Sequence, residues 1–147
     1  MITDDLKLTG ALTIALNDVI VQETKNVVVT AGKNWVADRM NNANTVMTHM
    51  AVGTGSLHPD DVGGNNASAQ TALGTESDRN ALTSTTVTNN AVAYVATWAA
   101  GDATAAITEA GILDAATGGD MLARTVFSVV NKGAADSMTI TWTITVS

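Results

Sequence analysis

The sequence predicts a mainly β protein, folded as one antiparallel β-sandwich or jelly-roll-like domain with a single short helix. Two observations carry this prediction. First, apolar and polar residues alternate along several short segments, most strictly near the end, where threonines separate Met138, Ile140, Trp142, Ile144 and Val146. Second, Asn, Asp and Gly pairs typical of tight turns separate the segments. Short strands joined by such turns favour an antiparallel sandwich.

The first part of the chain predicts a β-hairpin and then the helix. Asn17-Asp18 tolerate the positive φ of a tight turn, and alternating apolar residues flank them: Leu12, Ile14, Leu16, Val19 and Val21. A short β-branched run follows at 27–29. Residues near 31–42 then predict a helix, with Thr30 as its candidate cap and Asn41-Asn42 as its stop. The side chains that repeat with a helical period are Trp35, Val36, Arg39 and Met40.

The remaining strands are predicted at 47–52, 83–88, 92–98, 107–115, 121–130 and 138–146. Asn89-Asn90 and Gly118-Gly119 mark two of the turns between them. A polar stretch at 53–74 predicts a long loop, which is uncommon in a compact domain unless it is functional or docked. We therefore divide the chain into an N-terminal arm at 1–8 and one sandwich domain at 9–147.

Composition excludes several classes of function. The net charge of −7, from 14 acidic and 7 basic residues, repels a phosphate backbone and argues against nucleic-acid binding. The absence of cysteine excludes disulfides and thiol chemistry. No apolar run approaches the ~20 residues of a membrane span, and Met1–Leu8 lacks a signal-peptide pattern. We expect a protein kept in the cytoplasm unless it leaves as part of a larger assembly.

Candidate chemical groups form no catalytic or metal-binding pattern, so we predict a non-enzymatic protein with no catalytic, cofactor-binding or metal-ligating residue and no cofactor. His49 and His58 lack ligand spacing. Asp60-Asp61 lack the alternating acidic ligands and closing Glu of a calcium loop, which leaves open an ion held between subunits. Glu109 and Asp114 are interpreted as charges at the two ends of a strand.

Glycine and aromatic residues also favour structural roles. Gly53-Thr54-Gly55 lacks the following Gly-Lys of a phosphate loop. Trp98 and Trp142 lie on the apolar faces of alternating strands, which predicts core packing rather than sugar or base stacking. The predicted loops contain no aromatic residue that could serve a carbohydrate-binding tip.

Four segments resemble a family of small structural proteins of tailed-phage virions, including phages of cyanobacteria. These are LTIALNDVIVQE, VVTAGKNWVADRM, the pair MAVGTG and ALGTE around a variable loop, and the tail ITEAGILDAATGGDMLARTVFSVVNKGAADSMTITWTITVS. Together they cover most of residues 8–147. The tail carries the most specific part of the resemblance.

The resemblance implies a virion structural role without catalytic residues. Because the chain has no fibre-like repeat, we expect a compact capsid decoration (cement) protein on the outer capsid surface. It would form a trimer and bridge major capsid subunits. A tail, baseplate or short tail-fibre adaptor protein is the alternative, and a receptor- or sugar-binding module is a third hypothesis. The candidate contacts are the arm Met1–Leu8, the 53–74 loop and the threonine face of the last strand. Deleting residues 1–8 is expected to weaken capsid binding without unfolding the domain.

Overall fold

The computed structural model of the protein describes residues 6–42, 45–55 and 70–147. Within these ranges the chain forms nine strands and one helix. Their bounds are β1 (Leu8–Leu16), β2 (Val19–Val28), α1 (Thr30–Arg39), β3 (His49–Gly53), β4 (Glu76–Ala81), β5 (Ser84–Thr88), β6 (Ala91–Trp98), β7 (Ala105–Leu113), β8 (Met121–Lys132) and β9 (Met138–Val146).

The strands form one antiparallel sheet in the order β4-β3-β7-β8-β2-β1-β9-β6-β5. Strand β2 joins its two halves, because it pairs with β1 over most of its length but with β8 only at Val27 and Val28. Half A comprises β2, β1, β9, β6 and β5; half B comprises β4, β3, β7 and β8. The sheet curls so far that Asn80 of β4 donates its side-chain N–H to the Thr97 carbonyl of β6, at 3.0 Å. The predicted antiparallel, sandwich-like class is confirmed.

The main core lies between the two halves. The apolar positions of the last strand point inwards as predicted, and Ile140 and Trp142 are completely buried. Half B contributes Met50 and Ile112, which are equally inaccessible. Trp142 donates its indole N–H to the side-chain oxygen of Asn26, at 2.8 Å, so its polar edge is satisfied inside the core.

The first hairpin turn forms as the sequence predicts. Asn17 and Asp18 adopt φ angles of 49° and 66°. The turn is also tied to the connection between β8 and β9, because Asn17 donates to the carboxylate of Asp136, at 2.8 Å. The backbone N–H of Gly133 donates to the same carboxylate, at 2.9 Å. These two bonds favour the ionised form and lower the pKa of Asp136.

The predicted helix near 31–42 is confirmed, with bounds at Thr30–Arg39. The capping residue is Val29 rather than Thr30, and it makes no side-chain capping bond. Val29 instead donates its backbone N–H to the Leu122 carbonyl, at 3.2 Å, so the chain passes from β2 into α1 without a loop. Trp35 packs against the core, whereas Met40 is 85% exposed.

Gly32 sets the close approach of α1 to β8. A Cβ atom at this position would lie 2.1 Å from the Leu122 carbonyl oxygen. Alanine favours an exposed helix position over glycine by about 1 kcal/mol. Here we expect the opposite sign, with Gly32→Ala lowering the free energy of unfolding by about 1–3 kcal/mol because the helix must move away. Urea unfolding measures this change.

The matched control is Asn34→Ala, on an exposed position of the same helix. We expect this variant to be neutral or slightly stabilising, because it gains helix propensity without meeting the sheet. Equal stability of Gly32→Ala and the unaltered chain would contradict the packing argument.

The 53–74 loop and the strands beside it differ from the prediction in their bounds. The strand predicted at 47–52 begins at His49 and ends at Gly53. Residues 56–69 lie outside the described part of the chain. Strand β4 was not predicted at all, because Glu76–Ala81 reads ESDRNA and shows no apolar alternation. It forms at the edge of the sheet, where an exposed polar strand is tolerated.

The boundary predicted between the arm at 1–8 and the sheet lies earlier in the structure, because residues 7 and 8 already pair with the last strand. Leu8 is the first residue of β1. Lys7 extends the pairing with the last strand, since Lys7 and Ser147 exchange two backbone hydrogen bonds of 2.7 and 2.9 Å. Residues 1–5 lie outside the described part. Deleting residues 1–8 would therefore damage β1, and a deletion meant to preserve the fold has to stop at residue 5.

Candidate functional site

Of the candidate metal-binding residues, His49 is the one that the structure describes. His49 lies in β3, where its Nδ1 is 2.8 Å from the hydroxyl of Thr48. His58 and Asp60-Asp61 fall outside the described residues. Across residues 6–42, 45–55 and 70–147, no group of three or more His, Asp or Glu side chains is placed to hold a metal ion. In the same ranges no helix is long and apolar enough to cross a membrane.

Glu109 and Asp114 take part in separate hydrogen-bond networks and do not form a pair of carboxylates. Asp114 follows β7 and accepts hydrogen bonds from the Asp120 backbone N–H, at 2.7 Å, and from the Thr45 hydroxyl, at 2.8 Å. Glu109 lies inside β7 and is completely buried. The interpretation of Glu109 as a charge at the end of a strand is therefore wrong. Alternation cannot reveal this, because the partner of Glu109 lies on another strand.

Glu109 forms a buried ion pair with Arg124 of β8. The Arg124 Nη2 and Nε atoms donate to one carboxylate oxygen at 2.7 and 3.1 Å. Both side chains are at most 1% exposed. A third guanidinium nitrogen of Arg124 donates to the Gln70 side-chain oxygen. Such charge-assisted bonds are roughly twice as strong as neutral ones, and they offset part of the cost of burying two charges.

The same carboxylate fixes the chain on both sides of residues 56–69. Glu109 accepts backbone hydrogen bonds from Gly55 at 2.9 Å, Gly74 at 2.8 Å and Thr75 at 2.7 Å. The Thr108 hydroxyl donates to the Gly55 carbonyl, at 2.9 Å. Glu109 therefore anchors a loop. Its carboxylate is engaged by five donors and closed to solvent, which is unsuited to acid–base catalysis.

Gly53 and Gly55 allow the backbone to approach Glu109 and Thr75 closely enough for these hydrogen bonds. A Cβ atom on Gly55 would lie 2.5 Å from the nearer carboxylate oxygen of Glu109, and one on Gly53 would lie 2.2 Å from the Thr75 carbonyl oxygen. Only glycine lets the backbone come this close. The Gly53-Thr54-Gly55 motif, which lacks the Gly-Lys of a phosphate loop, therefore lies against a carboxylate of the same chain.

The predicted core role of the tryptophans is confirmed. Trp98 and Trp142 are completely buried, and Tyr94 and Phe127 are at most 8% exposed. Trp35 is half-buried and donates its indole N–H to the Thr45 carbonyl, at 2.9 Å. None of these rings is presented as an exposed platform for a sugar or a base.

The outer side of half A carries a face of small side chains, here named the outer Thr/Ala face. Threonines of β9 form its centre, as the sequence predicts. Cross-strand pairs extend it to both neighbours, with Thr143 opposite Ala11 of β1 and Ala93 of β6. The hydroxyls of Thr97 and Thr139 lie 3.2 Å apart. Its members are Thr9, Ala11, Thr13, Ala15, Ser84, Thr86, Thr88, Ala91, Ala93, Val95, Thr97, Thr139, Thr141, Thr143 and Thr145.

This face is almost free of charge. None of the chain's 14 acidic and 7 basic residues lies in β1, β5, β6 or β9. Glu23 and Lys25 of β2 border it, directly opposite Thr13 and Ala11 on the same side of the sheet. A face without charges loses little solvation when another protein covers it. Threonine and alanine also lose less side-chain entropy on contact than long charged residues do.

The two halves differ in how their outer sides are covered. On half B, a second apolar cluster places Val29, Ala31 and Leu73 against sheet residues of β3, β7 and β8. The helix and the segment before β4 therefore cover that side. In the described part of the chain, no element covers the outer Thr/Ala face. This bare face is the candidate functional surface.

The free strand edges differ in how well they resist pairing. Strand β4 carries a surface ion pair between Glu76 and Arg79, at 2.7 Å, and charges on an edge discourage strand addition. Strand β2 begins with three exposed apolar residues at 19–21. Over 19–26 its pairing within the described residues is with β1 alone. Among the residues described, the start of β2 has no such ion pair, so this edge is less protected than that of β4.

Comparison with protein-family models, with curated proteins and with solved structures gives no match.

Proposed function

We propose that the chain is a non-enzymatic structural component of a tailed-phage virion, specifically a capsid decoration protein. It binds the outer surface of the capsid as a trimer and bridges neighbouring major capsid subunits. Stabilisation comes from buried area and strand contacts rather than from chemistry. The tail, baseplate and short-fibre roles form the alternative class within the same resemblance.

The bare outer Thr/Ala face carries this proposal. The four strands that form it lie about 4.8 Å apart and are at most about 30 Å long, which gives it an area of at most roughly 600 Å². A stable interface buries about 800 Å² on each partner. The face therefore supplies most of one interface, and further contacts are needed. The N-terminal arm at 1–8 and the 53–74 loop are the candidates for those contacts, as the sequence suggests.

A charge placed in this face tests the proposal. We expect the double substitution Thr141→Lys and Thr143→Lys to reduce co-sedimentation with capsids by at least about 10-fold, because covering the face would then remove two ammonium groups from water. The measurement is the amount of protein that sediments with phage capsids lacking their own copy of this protein.

Ser128→Lys is the matched control, since Ser128 is an exposed strand residue of β8, on half B. It should bind like the unaltered chain. Undiminished co-sedimentation of the double variant would remove the outer Thr/Ala face from the proposal. Copy number in the intact virion separates the two classes, since roughly hundreds of copies indicate a capsid position and a few dozen or fewer indicate the tail.

A further inference from the structure

A second surface lies at the opposite end of β1 from its hairpin turn. A groove of about 460 Å³ runs between the start of β1 and the exposed side of α1. The strand side is lined by residues 6–9, so the groove adjoins the outer Thr/Ala face at Thr9. The helix side is lined by Lys33, Val36, Ala37 and Met40. Leu6 is 73% exposed and Met40 is 85% exposed. Large apolar side chains this exposed, and gathered in one groove, mark an interaction site.

The charged residues of the groove indicate which kind of segment can bind there. Lys7 and Lys33 lie in it, although the chain carries only 7 basic residues and a net charge of −7. An apolar side chain suits the lining, and carboxylates suit the lysines. The groove therefore fits a short segment that combines one large apolar residue with neighbouring acidic residues.

The first five residues of the chain have this composition. They read Met1-Ile2-Thr3-Asp4-Asp5. Lys7 continues the direction of β1, because its two backbone bonds to Ser147 extend the ladder between β1 and β9. A chain that continues in this direction leaves its own sheet, and five residues reach at most about 17 Å. Filling its own groove would require the chain to reverse direction alongside Leu6.

We propose that residues 1–5 of one copy dock in this groove of a neighbouring copy. Ile2 contacts the apolar lining, and Asp4 and Asp5 interact with Lys33. Each copy then donates one arm and receives another. Head-to-tail contacts of this kind form closed rings when the rotation permits, and a ring of three agrees with the trimer proposed above. The inference does not rest on the virion role, because the purified chain alone tests it.

Three variants test the exchange through the molar mass measured by size-exclusion chromatography with light scattering. The full chain is expected to form a closed oligomer. Deletion of residues 1–5 and the substitution Ala37→Glu are each expected to raise the dissociation constant by at least about 10-fold. The deletion removes the arm, and the new carboxylate fills the groove and repels Asp4 and Asp5. Asn34→Glu adds the same charge to the same helix outside the groove and should leave the oligomer unchanged.

A labelled peptide with the sequence of residues 1–8 tests the contact directly. We expect saturable binding to the deletion variant, and loss of that binding when Ala37→Glu is added. Lys33→Glu should weaken binding of this peptide. A peptide with Asp4→Lys and Asp5→Lys should recover binding to the Lys33→Glu protein, because the two charges are exchanged.

Several outcomes would overturn the exchange. One is a full chain that is monomeric at all accessible concentrations. Another is an oligomer that survives the deletion unchanged. Equal peptide binding with and without Ala37→Glu would place the arm elsewhere. If the full chain and the deletion variant are both monomers and only the deletion lowers thermal stability, the arm docks on its own copy. If residues 1–5 are not exchanged between copies, the capsid test of the outer Thr/Ala face is unaffected.

Discussion

Replacing Glu109 with alanine is expected to lower the free energy of unfolding by about 3–5 kcal/mol. The substitution leaves the Arg124 guanidinium buried without its carboxylate, and it removes the acceptor for the backbone N–H groups of Gly55, Gly74 and Thr75. The ion pair and the bond from Gly55 lie away from water, so no solvent molecule replaces the missing oxygen there at low cost. Urea unfolding followed by tryptophan fluorescence measures the change.

Glu76→Ala is the matched control for this prediction. Glu76 also pairs with an arginine, Arg79, at 2.7 Å, but its side chain is 34% exposed. We expect a smaller loss, of about 1 kcal/mol, because solvent reaches Glu76 and because Arg79 keeps its hydrogen bonds to the Ala115 and Gly118 carbonyls. If Glu109→Ala is too unstable to purify, Arg124→Lys provides a milder variant, since lysine keeps the charge but loses the forked geometry. Equal stabilities of the Glu109 and Glu76 variants would contradict the assigned role of the buried pair.

Replacing Trp142 with alanine is expected to cost about 3–5 kcal/mol, because it empties a completely buried site at the centre of the core. Trp142→Phe separates the packing from the hydrogen bond. Phenylalanine fills much of the ring volume but leaves the Asn26 side-chain oxygen without its indole donor. We expect this variant to retain the fold with a smaller loss of stability.

Trp98→Phe is the control for the hydrogen bond. Trp98 is equally buried, and its indole N–H has no partner among the described residues. Phenylalanine therefore removes a hydrogen bond at 142 but only an unsatisfied donor at 98. We expect Trp142→Phe to be the less stable of the two by about 1 kcal/mol. The reverse order in urea unfolding would show that ring packing, and not the bond to Asn26, decides the difference.

The two proposed contacts use opposite kinds of chemistry. The outer Thr/Ala face offers a broad surface without charges, whereas the groove beside α1 combines apolar side chains with lysines. Binding on the broad face should depend little on salt. Arm exchange should weaken as the salt concentration rises, because part of it is an attraction between exposed charges. The two surfaces can therefore be examined separately in one preparation.

The sequence by itself determined the antiparallel class, the hairpin turn at Asn17-Asp18 and the inward face of the last strand. Each of these follows from neighbouring residues. Strand periodicity places Ile140 and Trp142 on one face whatever lies opposite. Positive φ angles are a local property of asparagine, aspartate and glycine. The helix near 31–42 is similarly local, although its start at Thr30 depends on the pairing of Val29 with Leu122.

Only the tertiary structure decided which groups meet across the sheet and which face stays bare. Glu109 and Arg124 lie on adjacent strands, and their pairing depends on a register that shifts between Ile107 and Glu109, where β8 carries the extra residues. Strand β4 forms because β3 offers it an edge, not because its sequence alternates. Alternation also predicts that a threonine face exists but not what covers it. Coverage depends on where the helix and the loops pack, and they pack on half B because Gly32 and Leu73 fit there.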